Sequence, residues 1–269
     1  MTSRLFSKSS VLLLAIAAIA FVSCKKDKSG PGNPGNQTKK ISRIEENGST
    51  TASFEYNTDG TLKKVSTKFD GPQTAVFSFT YDNQKRPIEV ASDQGFKSKY
   101  VYVNNVLKLT ENFEGATKVS ENNFAYENGK LKSNTVFTAV PQPGGNTEYH
   151  PTYRAVYHYY PTGAVQKVST YILNPLSGEL ELMFEYVYQQ YDDKKNPLAV
   201  MSDFSQVIMF HPIHVNNPLI EKLYGANGIV DETTQNVYTY DAAGYPLTCK
   251  STVTPTGGTP LVKDIKYIY

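Results

Sequence analysis

The sequence predicts an all-β protein: an elongated, twisted antiparallel meander built from repeated β-hairpins. Three observations carry this expectation. Aromatic residues stand in pairs at i and i+2, as in Phe54-Glu-Tyr56 and Tyr238-Thr-Tyr240; each pair is followed by turn formers and then an aliphatic; and the whole unit recurs along the chain. Residues two apart share a side only in extended backbone, because a helix turns them away from each other.

The chain begins with a segment that takes no part in that fold. Residues 1–23 carry Arg4 and Lys8, then an apolar run from Val11 to Val22. A basic start before an apolar run too short to span comfortably reads as a secretory signal. FVSC at 21–24 resembles the lipobox of bacterial lipoproteins, which implies lipid attachment to Cys24 and cleavage in front of it. Residues 24–40 hold Gly, Pro, Asn and Lys and nothing able to enter a core until Ile41, so they are expected to form a flexible tether.

From 41 to 269 the repeat takes over. Its copies are FEYNTDGTL (54–62), FTYDNQKRPI (79–88), YVYVNNVL (100–107), FAYENGKL (124–131), YHYYPTGAV (157–165), YVYQQYDDKKNPL (186–198) and YTYDAAGYPL (238–247), with Tyr267-Ile-Tyr269 as the first half of another. The turns hold Asp-Gly, Asn-Gly, Thr-Gly or a residue before Pro, which reverse an extended chain. Tyr56, Tyr81, Tyr102 and Tyr126 are 21 to 25 residues apart, room for two strands and their connections. In the returning strands Ile88/Val90, Leu107/Leu109 and Leu198/Val200 alternate as a one-sided strand should. Leu62/Val65 and Val165/Val168 stand three apart and predict bulges or strand ends. Insertions at 139–152, 174–179 and 201–236 interrupt the pattern; the last could be a strand pair, a short helix or a cap. The 20 tyrosines are expected to cover the sheet with their hydroxyls in water.

The pattern in YNTDGTLKKV (56–65) and YYPTGAVQKV (159–168) resembles the YD repeats of RHS-type bacterial surface proteins. YDNQKRPI and YDAAGYPL, with YDDKKNPL and VNNPL, are similar to a family of uncharacterised Bacteroidetes lipoproteins. FEYN, YVYV and FAYE lack the Asp of the YD pair. The resemblance implies an all-β fold and an envelope location, and it brings no catalytic residue.

Few residues could carry chemistry. Without Arg4 and Lys8, the 27 basic residues balance the 25 acidic ones, so the mature chain lacks the footprint of a nucleic-acid binder. With Cys24 lipidated, Cys249 would be the only thiol, which leaves no internal disulfide and a small core residue. His211 and His214 flank Pro212 and face opposite sides of a strand, without a third ligand at useful spacing. Glu179 and Glu181 alternate with Leu180 and Leu182, the pattern of a strand with one wet face, although a carboxylate pair also invites a glycosidase reading. No cofactor, metal or catalytic residue is therefore expected. The expected role is a tethered, non-enzymatic binding or scaffolding module, anchored to the membrane by the lipid on Cys24, with an envelope protein or a glycan as partner. The competing reading is a glycan-active hydrolase of the envelope.

Overall fold

The computed structural model describes residues 39–68, 73–201, 214 and 216–269. Cys24, the signal and most of the tether lie outside them. The described residues form sixteen strands, every neighbouring pair antiparallel and every pair but one consecutive in the chain. In order these are β1 (Arg43–Glu46), β2 (Ser49–Tyr56), β3 (Leu62–Lys68), β4 (Thr74–Tyr81), β5 (Pro87–Ser92), β6 (Phe96–Val103), β7 (Val106–Glu114) and β8 (Thr117–Glu127). They continue as β9 (Lys130–Pro141), β10 (Thr147–Tyr159), β11 (Val165–Leu173), β12 (Leu180–Tyr191), β13 (Pro218–Gly225), β14 (Val230–Tyr240), β15 (Pro246–Pro255) and β16 (Leu261–Ile268). This is the antiparallel hairpin meander read from the sequence. Its two outermost strands also pair, so the sheet closes into a barrel.

Closure completes a repeat. Tyr267-Ile-Tyr269 supplies the aromatic half, and the chain start supplies the returning half, Lys40-Ile41-Ser42-Arg43-Ile44, with Ile44 opposite Tyr267. Ile41 and Ile44 are both buried, three apart like Leu62 and Val65. Seven whole copies and one split between the ends therefore account for the sixteen strands. Among the described residues the closed sheet leaves no open edge to pair with another chain.

A bulge belongs to the repeat itself. The register shifts beside the second tyrosine in six copies, at Glu55/Tyr56, Thr80/Tyr81, Val101/Tyr102, Ala125/Tyr126, His158/Tyr159 and Thr239/Tyr240. The bulges expected at Leu62/Val65 and Val165/Val168 are therefore present. The alternation expected at Ile88/Val90 and Leu107/Leu109 is replaced by Pro87/Val90 and Leu107/Thr110 on the inner side, with Ile88 left 38% exposed. An extra residue in the returning strand lets both flanking side chains face inward. Between them, two-residue turns such as Asn128-Gly129 take positive φ at both positions (51° and 75°), which Asn and Gly tolerate.

The sixth copy departs from the sequence reading. Its returning strand is β13, with Tyr191 opposite Pro218 and Tyr188 opposite Glu221. Leu198 lies instead in a short 3-10 turn (Pro197–Met201). The insertion sits inside a hairpin turn whose ends stay clamped: Asp192 N–H donates to the Asn217 carbonyl at 3.1 Å, and Asn217 N–H donates to Asp192 Oδ1 at 3.0 Å. The same reciprocal pair joins Asp82 to Arg86 and Asp241 to Tyr245 in uninterrupted turns. Within 201–236, β13 and the start of β14 are thus strands; 202–213 lie outside the described residues. The 139–152 insertion is an extension of the β9–β10 hairpin, with Thr147 opposite Pro141.

Candidate functional site: the turn rim and the lumen beneath it

The barrel has two rims. One gathers the short turns after the second tyrosine of each copy, together with both chain ends of the barrel; the other gathers the connections between copies. Beneath the turn rim the inner wall is layered. Its first layer holds the second tyrosine and the first returning residue of each copy, as in Tyr56/Leu62, Tyr102/Leu107, Tyr159/Val165 and Tyr269/Ile41. Its second holds Phe54/Val65, Phe79/Val90, Tyr100/Thr110, Phe124/Asn134, Tyr157/Val168, Tyr188/Glu221, Tyr238/Cys249 and Tyr267/Ile44. Val90, Tyr157, Val168 and Tyr188 are all buried, and Leu198 and Met201 join the same apolar cluster. A round barrel of this strand number encloses a water channel; at this depth the lumen is packed.

The rim tyrosines do not leave their hydroxyls in water, as the sequence reading had them. Each of five donates to the carbonyl of the preceding copy's first returning residue: Tyr56 to Ile41 (2.9 Å), Tyr102 to Pro87 (3.0 Å), Tyr159 to Leu131 (2.8 Å), Tyr191 to Val165 (2.6 Å) and Tyr269 to Pro246 (3.0 Å). The reason lies in the register. The ladder between copies begins two residues further on, at Arg43↔Ser53, Glu89↔Lys99, Ser133↔Val156, Lys167↔Val187 and Thr248↔Lys266. The phenol thus supplies a donor to a carbonyl the ladder does not reach, which burial would otherwise penalise.

The same rings carry cations. Lys40, Arg86 and Lys130 each precede one of those carbonyl residues, and their charges lie 5.1, 4.6 and 5.2 Å from the centroids of Tyr56, Tyr102 and Tyr159. Lys108 lies over Tyr126, Lys39 over Tyr269 and Lys195 over Tyr245. One tyrosine thus joins two copies twice, through its hydroxyl and through its ring face.

Copy six breaks the chemical monotony. Its second-layer returning residue is Glu221, an ionisable carboxyl where four copies have Val65, Val90, Val168 or Ile44 and three have Thr110, Asn134 or Cys249. Asn236 Nδ2 donates to Glu221 Oε1 at 3.1 Å. Burial pushes this carboxyl up to about 7; the Asn236 bond opposes the shift and Glu232 adds to it. Above Glu221, His214 is buried with its ring 4.2 Å from Tyr188 and 5.0 Å from Tyr191. Tyr191 has one proton, which goes to the Val165 carbonyl, so the contact of its oxygen with His214 Nδ1 at 2.7 Å requires the imidazole to donate from Nδ1. Tyr240 donates to Asp192 beside it.

The remaining candidates resolve simply. Cys249 is a buried second-layer residue whose thiol burial raises to about 11, which keeps it protonated. Glu181 is an outer-face residue that accepts from Asn174 and Ser177 across the β11–β12 connection, and those bonds hold its carboxyl below the usual range. Glu179 lies in that connection. His211 is outside the described residues, and no cluster of three or more His, Cys, Asp or Glu among those described could hold a metal ion. On β6 to β8 the inner face is polar: Ser98 donates to Asn112 Oδ1 at 2.6 Å, and Asn112 Nδ2 donates to Ser120 and Asn122, both at 3.0 Å.

The outer wall is charged along the strands. Cross-strand pairs join Lys63 to Glu55 (3.8 Å), Lys97 to Glu89 (4.0 Å), Lys118 to Glu111 (2.9 Å) and Lys167 to Glu185 (2.8 Å), and Lys118 also pairs with Glu121 of its own strand (2.8 Å). Ion pairs therefore mark the outside, while the inside combines an apolar cluster with the polar patch on β6 to β8.

No protein-family model matches the chain, and no curated protein matches it. Among solved structures it is similar to a porin-like protein from Bacteroides uniformis, at 14% identity and a TM-score of 0.55, over 85% of this chain and 96% of that one. It is also similar to a porin-like protein from Bacteroides vulgatus, at 11% identity and a TM-score of 0.47, over 86% and 99% of the two chains. A third, in the crystal structure of TcdB2-TccC3-Cdc42, matches at 12% identity and a TM-score of 0.28, over 82% of this chain and 15% of that one. The first of these shows a shared fold.

Proposed function

We propose that the chain is a membrane-tethered lipoprotein of the bacterial cell envelope, held at the outer membrane, on its periplasmic or cell-surface side, by a lipid on Cys24. The barrel then serves as a non-enzymatic binding or scaffolding module for an envelope protein or a glycan. The observation that carries this reading is the ion-paired outer wall on β5 to β8 and β11 to β12, with the large apolar cluster on the inner side. A barrel that crosses lipid presents an apolar belt about 25 Å tall, and a Lys or Arg at its midplane costs about 2–4 kcal/mol. This wall suits water, so attachment falls to the acyl chain, with the segment after Cys24 as spacer.

Fractionation of cells expressing the full chain tests it. The parent is expected in the detergent-extracted membrane fraction, and Cys24→Ala in the soluble fraction or as an unprocessed precursor. Identical fractionation and migration of the two would refute lipid attachment. A pull-down from envelope extract alongside a glycan array then separates the two partner classes.

A further inference from the structure

We propose that the turn rim is a docking surface for an anionic lipid surface, so that the opposite rim points away from the membrane. This rests on the lipid at Cys24.

The first support is where the tether leaves. Lys39 N–H donates to Tyr245 Oη at 3.2 Å, Lys39 Nζ pairs with Asp241 at 2.5 Å, and the Ile41 carbonyl takes the Tyr56 hydroxyl. The chain entering the barrel is thus pinned to the turn rim. Fourteen residues separate Cys24 from Lys39. A flexible segment of that length spans about 20 Å on average, which brings this rim to the headgroups first.

The second support is charge. The cations over the rim tyrosines are set at that edge by the repeat, and among the described residues Lys40, Lys108, Lys130 and Lys195 form no ion pair with a carboxylate. The rim aspartates are already engaged: Asp59 with Lys85, Asp82 with Arg86, Asp193 with Lys194 and Asp241 with Lys39. The described connections of the opposite rim, 93–95, 142–146, 174–179, 226–229 and 256–260 among them, carry Asp93 and Glu179 and no Lys or Arg. Near the second rim Lys97 and Lys118 are paired with Glu89, Glu111 and Glu121 and Lys68 adds one cation, so an anionic surface favours the first rim over the second. A single acyl chain with a basic patch also binds more firmly than the chain alone.

The test uses the processed full chain in vesicles whose headgroups carry an energy-transfer acceptor. On a Cys249→Ser background, a donor is attached at Thr162→Cys on the turn rim or at Asn146→Cys on the opposite rim. With phosphatidylglycerol present, transfer from 162 is expected to exceed that from 146 at least twofold. The difference should narrow to the part set by the tether alone in pure phosphatidylcholine, at high salt, or in the triple variant Lys40→Glu, Lys108→Glu, Lys130→Glu. Equal transfer from both positions, or indifference to lipid charge, overturns the proposal. If the parent fails to enter phosphatidylcholine vesicles, the lipid at Cys24 falls. Co-sedimentation of that same chain with phosphatidylglycerol vesicles then decides the rim separately: at least tenfold weaker binding by the triple variant supports it, and equal binding overturns it.

Discussion

Glu221 is the residue whose environment most disagrees with its chemistry. Its carboxyl titrates near 7 in the barrel, against an ordinary 4.5, because burial disfavours the anion. Between those two values the folded state holds the proton that the unfolded state has lost, so stability falls as pH rises from about 4.5 to 7 and is level above. The full loss is on the order of 3 kcal/mol. The groups that face it are Glu232 and Tyr238 from β14, Tyr186, Tyr188 and Tyr191 from β12 and Cys249 from β15. None of the phenols or the thiol ionises in that window. Urea unfolding at several pH values should show the decline in the parent and a flat profile in Glu221→Gln; a parent profile already flat would mean the carboxylate is hydrated. Tyr159 makes the second residue-scale case. Removing its hydroxyl leaves the Leu131 carbonyl without that donor and should cost about 1–3 kcal/mol in Tyr159→Phe by the same measurement. A change under about 0.5 kcal/mol would show that water reaches that carbonyl.

At the scale of the element, the bulge decides which face every later residue takes. Lys132 is the extra residue between Leu131, opposite Tyr126, and Ser133, opposite Ala125. Deleting it would leave Leu131 and Asn134 two apart, so both still face inward in an unbulged strand and only the local bend and twist of the bulge are lost. The deletion is expected to keep cooperative unfolding at a cost of about 1–3 kcal/mol, whereas Lys132→Thr should stay within about 1 kcal/mol. A deletion variant that no longer unfolds cooperatively would show that the barrel wall needs the bulge's bend at this copy. The same device marks what the sequence could and could not reveal. Aromatic pairs and Asn-Gly turns exposed the hairpins, because extended backbone and positive φ each leave a local signature. Ile88 and Leu109 misled because an aliphatic at i+2 also fits an unbulged strand, and the register is set across the ladder, not along the chain. Glu221 was illegible for a related reason: only the clamp between Asp192 and Asn217 identifies Pro218 as the returning residue, and it acts over 25 positions. The basic residues over tyrosine rings are likewise invisible until neighbouring copies are placed side by side.

For the whole molecule, the split eighth copy makes a demanding prediction. In the fourth copy Tyr126 reaches Leu131 through Glu-Asn-Gly-Lys, and both turn residues have the positive φ that a tight reversal needs. Tyr269 and Ile41 occupy the corresponding places in the eighth, already held by the β16–β1 ladder and by Ser42 N–H donating to the Ile268 carbonyl at 2.7 Å. Joining Tyr269 to Lys40 through Asp-Asn-Gly would therefore write an ordinary hairpin across the present ends. New termini can be opened between Gly144 and Gly145, in an exposed connection of the opposite rim. The permuted chain should keep the strand-dominated circular dichroism of the parent. It should also unfold at the same temperature or a higher one, since the seam between β1, only four residues long, and β16 is no longer closed by separate ends. The cut hairpin loses only a local turn. If the permutant is unfolded while a control cut at the same glycines with the original ends linked by a long flexible segment folds, then Tyr269 and Ile41 are not two halves of one repeat. The barrel would then close by strand pairing alone, without the turn geometry shared by the other copies.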